Sequence, residues 1–231
     1  MTMVDTEPLA RVAADQPDNP VRKRWGRSRR ELGDHVARRV GALQARVLST
    51  VPQPEAVSAL ARLRRGIGRT PGFDFTLERY LQLPGDLLDR PDDDTEAADA
   101  EHAIHDAVTL YALHQQSRRE RMHVDGRGLG QAMSDLVGRS GGPEGVRRRF
   151  AALGTASSYQ ESIYHLRSLI TMLREHQIPL DYGLLADDLE TLRLPGERSK
   201  VQAVWGREFF RSRPSTDVDA PTTDHPEEDP S

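Results

Sequence analysis

Apolar residues recur along this chain at three- and four-residue intervals, and no segment alternates convincingly with period two. Ala56, Leu60, Leu63 and Ile67 fall at i, i+4, i+7 and i+11, one face of a helix that Pro54 can open in its first turn. An earlier helix is predicted from a capping box of Ser28 and Glu31 to about Leu48, where Pro52 and Pro54 break it. Thr76 is expected to cap a short piece over residues 77–83. Thr95, with Glu96 and Asp99, should open a long helix to about Arg119, with Ile104, Val108, Tyr111 and Gln115 on one side. A loop follows, then a helix over about 129–137, and Gly138 to Gly142 separate it from one begun by Pro143. There Val146, Phe150 and Leu153 should face inward. A second capping box, Ser158 with Glu161, precedes a helix to about His176 with the stripe Ile163, Leu166, Ile170 and Leu173. Asp181 should cap the next, over Tyr182, Leu185, Leu189 and Leu192; the last holds Val201, Val204, Trp205 and Phe209 or Phe210. The fold class is all-α, a compact helical bundle of about eight or nine helices.

Composition divides the 231 residues into a body and two tails. Residues 1–21 and 213–231 are polar, proline-bearing and acidic, and are expected to be disordered; residues 22–212 form the helical body, interrupted by an acidic loop at 84–95. The formal net charge is -4, but residues 21–212 carry 30 basic against 26 acidic residues, a net of +4. The stretch from Asp86 to Glu101 holds eight of those acids and one arginine; without it the remainder is 29 against 18, a net of +11. Only Lys23 and Lys200 are lysine, and arginine suits bidentate phosphate contacts. Cysteine is absent, which removes disulfides, thiol catalysis and cysteine-ligated metals. No apolar run approaches a membrane span, and the N-terminus lacks the order of a signal peptide, so a soluble, cytoplasmic protein is expected.

The basic residues cluster. ALARLRRGIGRTPG, residues 59–72, packs Arg62, Arg64, Arg65 and Arg69 into eight positions, with Gly66 and Gly68 expected to end the helix by left-handed caps. Arg62, Arg65 and Arg69 share a face at i, i+3 and i+7. Arg139 precedes a second cluster, Arg147-Arg148-Arg149, of which Arg147 and Arg148 should be the better exposed. Arg167 and Arg174 form a third patch. Such ridges either are solvated helix faces or meet a polyanion, and phosphate recognition requires no motif beyond charges in register. Tyrosine and phenylalanine number five each and fall mostly on apolar faces, so base stacking is not expected.

Enzymatic readings start weak. His102, His105 and Asp106 have metal-compatible spacing but no third distant ligand, and are better read as positions of an amphipathic helix. Asp92-Asp93-Asp94 lacks the spacing of a calcium loop, and the glycines from Gly126 to Gly130 lack the lysine and strand of a phosphate loop. No serine sits in a nucleophile motif. Trp205, Tyr182 and the pair His114-Gln115 are expected as packed core groups. No cofactor and no metal are expected.

LARLRRGIGRTPG, ALHQQ, GLGQAM, VRRRFAAL, YHLRSLITMLR, LDYGLLADDL and VWGREFFR follow one another in an order that resembles the CasB-type small subunit of the type I-E CRISPR surveillance complex, Cascade, over about residues 25–211. The resemblance implies an all-helical, non-catalytic protein, two copies of which sit in the complex. It implies contacts with the crRNA, the target and non-target DNA strands and the other Cascade subunits, in antiviral defence. By the family pattern the basic surface includes Arg64, Arg65, Arg147, Arg148 and Arg149; Arg62 and Arg69 join them on the helical argument, and Arg139 and Arg167 as neighbouring patches. Sequence would then be read by guide pairing, with the protein holding backbone and shape. The alternative is a helical protein–protein adaptor without nucleic-acid contact. The acidic tails are expected to screen the basic surface before assembly.

Overall fold

The computed structural model describes residues 27–83, 85 and 94–212. The two tails and most of the acidic loop lie outside the described residues, as do Arg22 to Trp25. Among the described residues there are nine α-helices and no strand: α1 (Glu31–Val47), α2 (Pro54–Leu63), α3 (Glu78–Leu81), α4 (Asp94–Gln115), α5 (Leu129–Arg139), α6 (Pro143–Gly154), α7 (Tyr159–Glu175), α8 (Tyr182–Arg193) and α9 (Arg198–Arg211). Two 3₁₀ turns, Arg64–Gly66 and Phe75–Leu77, lie between α2 and α3.

The organising element is α4. From Ala103 to Ala112 every residue is buried, so this helix has no solvated face over that stretch. It lies against α8, α7 and α1, while α5 and α6 carry the packing on to α9 and α7. Each large aliphatic side chain so enclosed contributes roughly 1.5–3 kcal/mol relative to its exposed state. The stripes predicted for α7 and α8 are buried throughout, and Tyr182 and Trp205 are core anchors. In α9, Val201, Trp205 and Phe209 face inward, and Phe210 is 68% exposed.

Two helix crossings depend on glycine because backbones touch there. A Cβ on Gly183 would come within 2.4 Å of the Gly33 carbonyl oxygen, at the α1–α8 crossing. A Cβ on Gly130 would meet the Trp205 carbonyl oxygen at 2.1 Å, at the α5–α9 crossing. In the glycine-dense run Gly128 and Gly130 thus serve close packing against α9, while Gly126 takes a positive φ in open space.

Several predicted boundaries move. The Ser28–Glu31 capping box does not form: the N-cap of α1 is Arg30, with no local side-chain cap. Instead Asp187 of α8 accepts from the Arg30 and Gly33 backbone N–H groups at 2.7 and 2.8 Å, a cap from more than 150 residues away. Asp74, not Thr76, caps the turn before α3, accepting from Thr76 N–H. Helix α3 ends at Leu81, short of Leu83. Helix α4 ends at Gln115 rather than Arg119, because the Gln115 amide turns back to the Arg118 and Glu120 carbonyls and Ser117 takes a positive φ. Helix α5 runs on through Gly138 to Arg139. The Ser158 hydroxyl accepts from Glu161 N–H as predicted, but the returning Glu161 carboxylate bonds Ser157 rather than Ser158.

Candidate nucleic-acid interface

The arginine-rich stretch does not continue as α-helix to its glycines. Helix α2 stops at Leu63, and Arg64–Gly66 tightens into a 3₁₀ turn. The predicted left-handed cap at Gly66 is therefore wrong. Gly66 is there for space: a Cβ would lie 2.5 Å from the Phe73 ring. Gly68 does take the left-handed conformation, with φ of 76°, and so does Gly72, with φ of 78°. Between them the chain reverses, and the Arg69 N–H donates to the Gly66 carbonyl at 2.9 Å.

Arg62 holds this loop closed. Its Nε and one terminal nitrogen donate to the two Asp74 oxygens at 2.9 and 2.6 Å, a forked pair joining the two ends of the loop. The Thr76 hydroxyl, and then Arg62, hold the Asp74 carboxyl below its usual range. Arg62 is thus paired with Asp74 while its side chain stays partly exposed beside Arg65 and Arg69. Both of those are exposed; Arg64 is half-buried.

Three hollows on the surface are neighbours through shared lining residues. The first is bordered by Arg62, Arg65 and Arg69. The second, of about 260 Å³, is bordered by Arg69, Tyr164 and Arg167 among others. The third, of about 480 Å³, is bordered by Tyr164, Arg167 and Arg149. Arg69 belongs to the first two, and Arg167 with Tyr164 to the last two. Arg65, Arg69, Arg167 and Arg149, drawn from three separate stretches of sequence, thereby border a series of neighbouring hollows, a basic strip. Glu175 borders the third hollow and limits the positive potential there.

The remaining predicted residues divide. Arg148 and Arg139 are exposed but border none of these hollows. The expected order of exposure in the second cluster is corrected: Arg149 is exposed and Arg147 half-buried, because Arg147 pairs with Glu144 and lies along an apolar groove. Arg174 turns toward the loop after α4 and donates to the Gln116 amide oxygen at 2.8 Å. Tyr164 is the residue that sequence reasoning missed. It is 72% exposed beside Arg167, against the expectation that aromatics stay on apolar faces. The signal lay in its position one residue past Ile163, off the stripe of α7.

The histidine cluster does not converge. His102 borders the second hollow, whereas His105 is buried, bonds Asp106 at 3.2 Å and meets the Phe73 ring edge-on. Asp106 is engaged by the Tyr159 hydroxyl at 2.7 Å. Burial, then the Asp106 charge, push that hydroxyl well above its usual range, so it stays a donor. Among the described residues no group of three or more metal-ligating side chains comes together.

The model of the family "CRISPR-associated protein Cse2" matches residues 59–210. The fold is similar to that of CasB from Thermobifida fusca, with 41% identity, a TM-score of 0.65, and coverage of 79% of this chain and 99% of that one. It is also similar to a CRISPR-associated protein of the Cse2 family from Thermus thermophilus, at 26% identity and a TM-score of 0.55, covering 78% and 97%. A chain of a CRISPR RNA-guided surveillance complex shares the fold at 20% identity and a TM-score of 0.59, covering 78% and 94%. No curated protein matches the sequence.

Proposed function

Because the chain belongs to the CRISPR-associated Cse2 family, we propose that it is the non-catalytic small subunit of a type I-E RNA-guided surveillance complex. It acts by holding nucleic-acid backbone on a basic surface. The observation that carries this reading is that Arg65, Arg69, Arg167 and Arg149 border three neighbouring hollows linked by shared residues. Aligned guanidinium groups neutralise successive phosphates without reading bases. Exchanging a DNA duplex for a guide–target duplex is nearly balanced in free energy, so a few such contacts on the crRNA, target strand or displaced strand shift it toward the opened state. Arg64, Arg139, Arg147 and Arg148 extend the basic surface beyond the strip.

Assembly with other subunits or a second copy is supported by the groove between α6 and α9, which Phe150, Trp205, Phe209 and Phe210 line. The adaptor reading rests on that groove alone.

The test is fluorescence anisotropy of the full chain with single- and double-stranded nucleic acid across about 50 to 200 mM salt. The affinity should fall by orders of magnitude, independent of sequence. Replacing Arg65, Arg69 and Arg167 by Ala should make the log–log salt slope shallower by about 0.7 per arginine on single strands. An unaltered slope in the triple variant would sink the role of these three arginines, and no binding even at low salt would leave the adaptor reading.

A further inference from the structure

The second hollow is built differently from the rest of the strip. Its exposed lining includes Arg69, Arg167 and Tyr164, and beneath them Ile67 is half-buried and Ile163 buried. Tyr164 contributes nothing to the core of α7, yet it holds a large aromatic surface in water at 72% exposure. Its ring is steadied edge-on by His165, with centroids 5.4 Å apart and planes at 72°. Deeper in the hollow lies Asp106, a carboxylate turned toward Tyr159 and His105. A phosphate driven inward would approach that carboxylate; a neutral aromatic ring would not. The charge arrangement therefore separates the two halves of a nucleotide, with phosphate on the arginines and base against Tyr164 and the apolar lining.

We propose that the hollow bordered by Arg69, Tyr164 and Arg167 is a subsite for one unpaired nucleotide, its base laid against Tyr164 and its flanking phosphates held by the two arginines. This rests on the phosphate-binding reading and sharpens it. The strip as a whole accepts any backbone, but this position accepts only a nucleotide whose base is free of its pairing partner, because a paired base presents no open face to an aromatic side chain. The subunit thereby distinguishes single strands from duplex at one defined point. Preference among bases is weak, since every base offers a π face.

The probe is a short oligonucleotide carrying 2-aminopurine, whose fluorescence reports stacking, titrated into the full chain in single-stranded deoxy, single-stranded ribo and duplex forms. With the unsubstituted protein the single strands should be quenched on binding. Tyr164→Ala should abolish that quenching and weaken single-strand affinity by roughly five- to a hundredfold, the range of one stacked base. Duplex affinity and the salt slope should stay unchanged, and Tyr164→Trp should restore both quenching and affinity. Losses in the deoxy arm assign the pocket to displaced DNA, and losses in the ribo arm assign it to the guide. Steep salt-dependent binding with equal single-strand affinity in Tyr164→Ala would overturn the subsite and leave the phosphate strip standing. Absence of any binding at low salt would overturn both.

Discussion

Asp188 sits where three chain segments meet. Its carboxylate accepts from Arg27, ahead of α1, and from the indole N–H of Trp205 in α9 at 2.7 Å, while it belongs itself to α8. Arg27 reaches on to Glu208, which accepts from the Gly130 N–H at 3.0 Å. Burial pushes the Asp188 carboxyl upward, against the pull of Arg27. A buried acceptor with such partners is costly to remove, because the donors left behind have lost their water. Replacing Asp188 by Ala should destabilise the fold by about 2–4 kcal/mol in denaturant unfolding; a loss within experimental error would mean that Arg27 and Trp205 find water. Asp181 plays a similar part, accepting from Arg29 and from the Gly126, Gly183 and Leu184 N–H groups. In LDYGLLADDL the aspartates are thus the wiring of the fold, and Arg27, Arg29 and Arg30 ahead of α1 pair with them.

Among the elements, helix crossings set the tolerance to change. At Gly130 the obstruction facing a side chain is the backbone of α9, which cannot rotate aside as a side-chain tip would. Gly130→Ala should therefore separate α5 from α9 and cost about 1–3 kcal/mol, visible as a lowered unfolding midpoint. Gly138→Ala, where nothing stands within 4 Å of the added Cβ, is the matched control and should hold or raise the midpoint. The loop after α2 behaves as one unit for a related reason. The Arg62–Asp74 fork closes it, and Gly66 lets Phe73 pack beneath it. The rim residues Arg65 and Arg69 are thus presented by a braced turn.

At the scale of the whole molecule, pH acts through buried histidine. Burial pushes His114 down to about 3, and its Nδ1 lies 2.9 Å from the Tyr182 hydroxyl oxygen. The folded value lies below the unfolded value of about 6.5, so on acidification the unfolded chain takes up a proton that the folded chain refuses. The stability contributed is complete above about 6.5 and declines as pH falls toward about 3, by about 1.4 kcal/mol per pH unit. Burial lowers His123 as well, which adds in the same sense. The buried carboxyls of Asp187, Asp188 and Glu208, pushed upward by burial, act oppositely as pH falls through their raised values. The histidine share is isolated by comparing His114→Gln with the unsubstituted chain in denaturant at pH 7, 6, 5 and 4. The difference in unfolding free energy should shift by about 1.4 kcal/mol per unit below pH 6; parallel profiles would contradict the assignment.

The sequence by itself determined the helices, because the 3.6-residue recurrence of apolar positions is a local property that burial later enforces. It also determined that the body is basic, since charge is carried by composition. The caps that depend on neighbours, at Ser158 and Asp181, were legible for the same reason. Tertiary structure decided what local pattern cannot hold. Asp187 caps α1 from a distant helix, Arg62 is taken by Asp74, and Arg69 borders the same hollow as Arg167 although nearly a hundred residues separate them. Arg62 and Arg147 are spent on carboxylates near them in sequence, whereas the hollows that Arg69 and Arg167 border are built by segments far apart. Tyr164 follows the same logic: its place off the stripe showed that it does not pack inward, and only the fold put it between arginines.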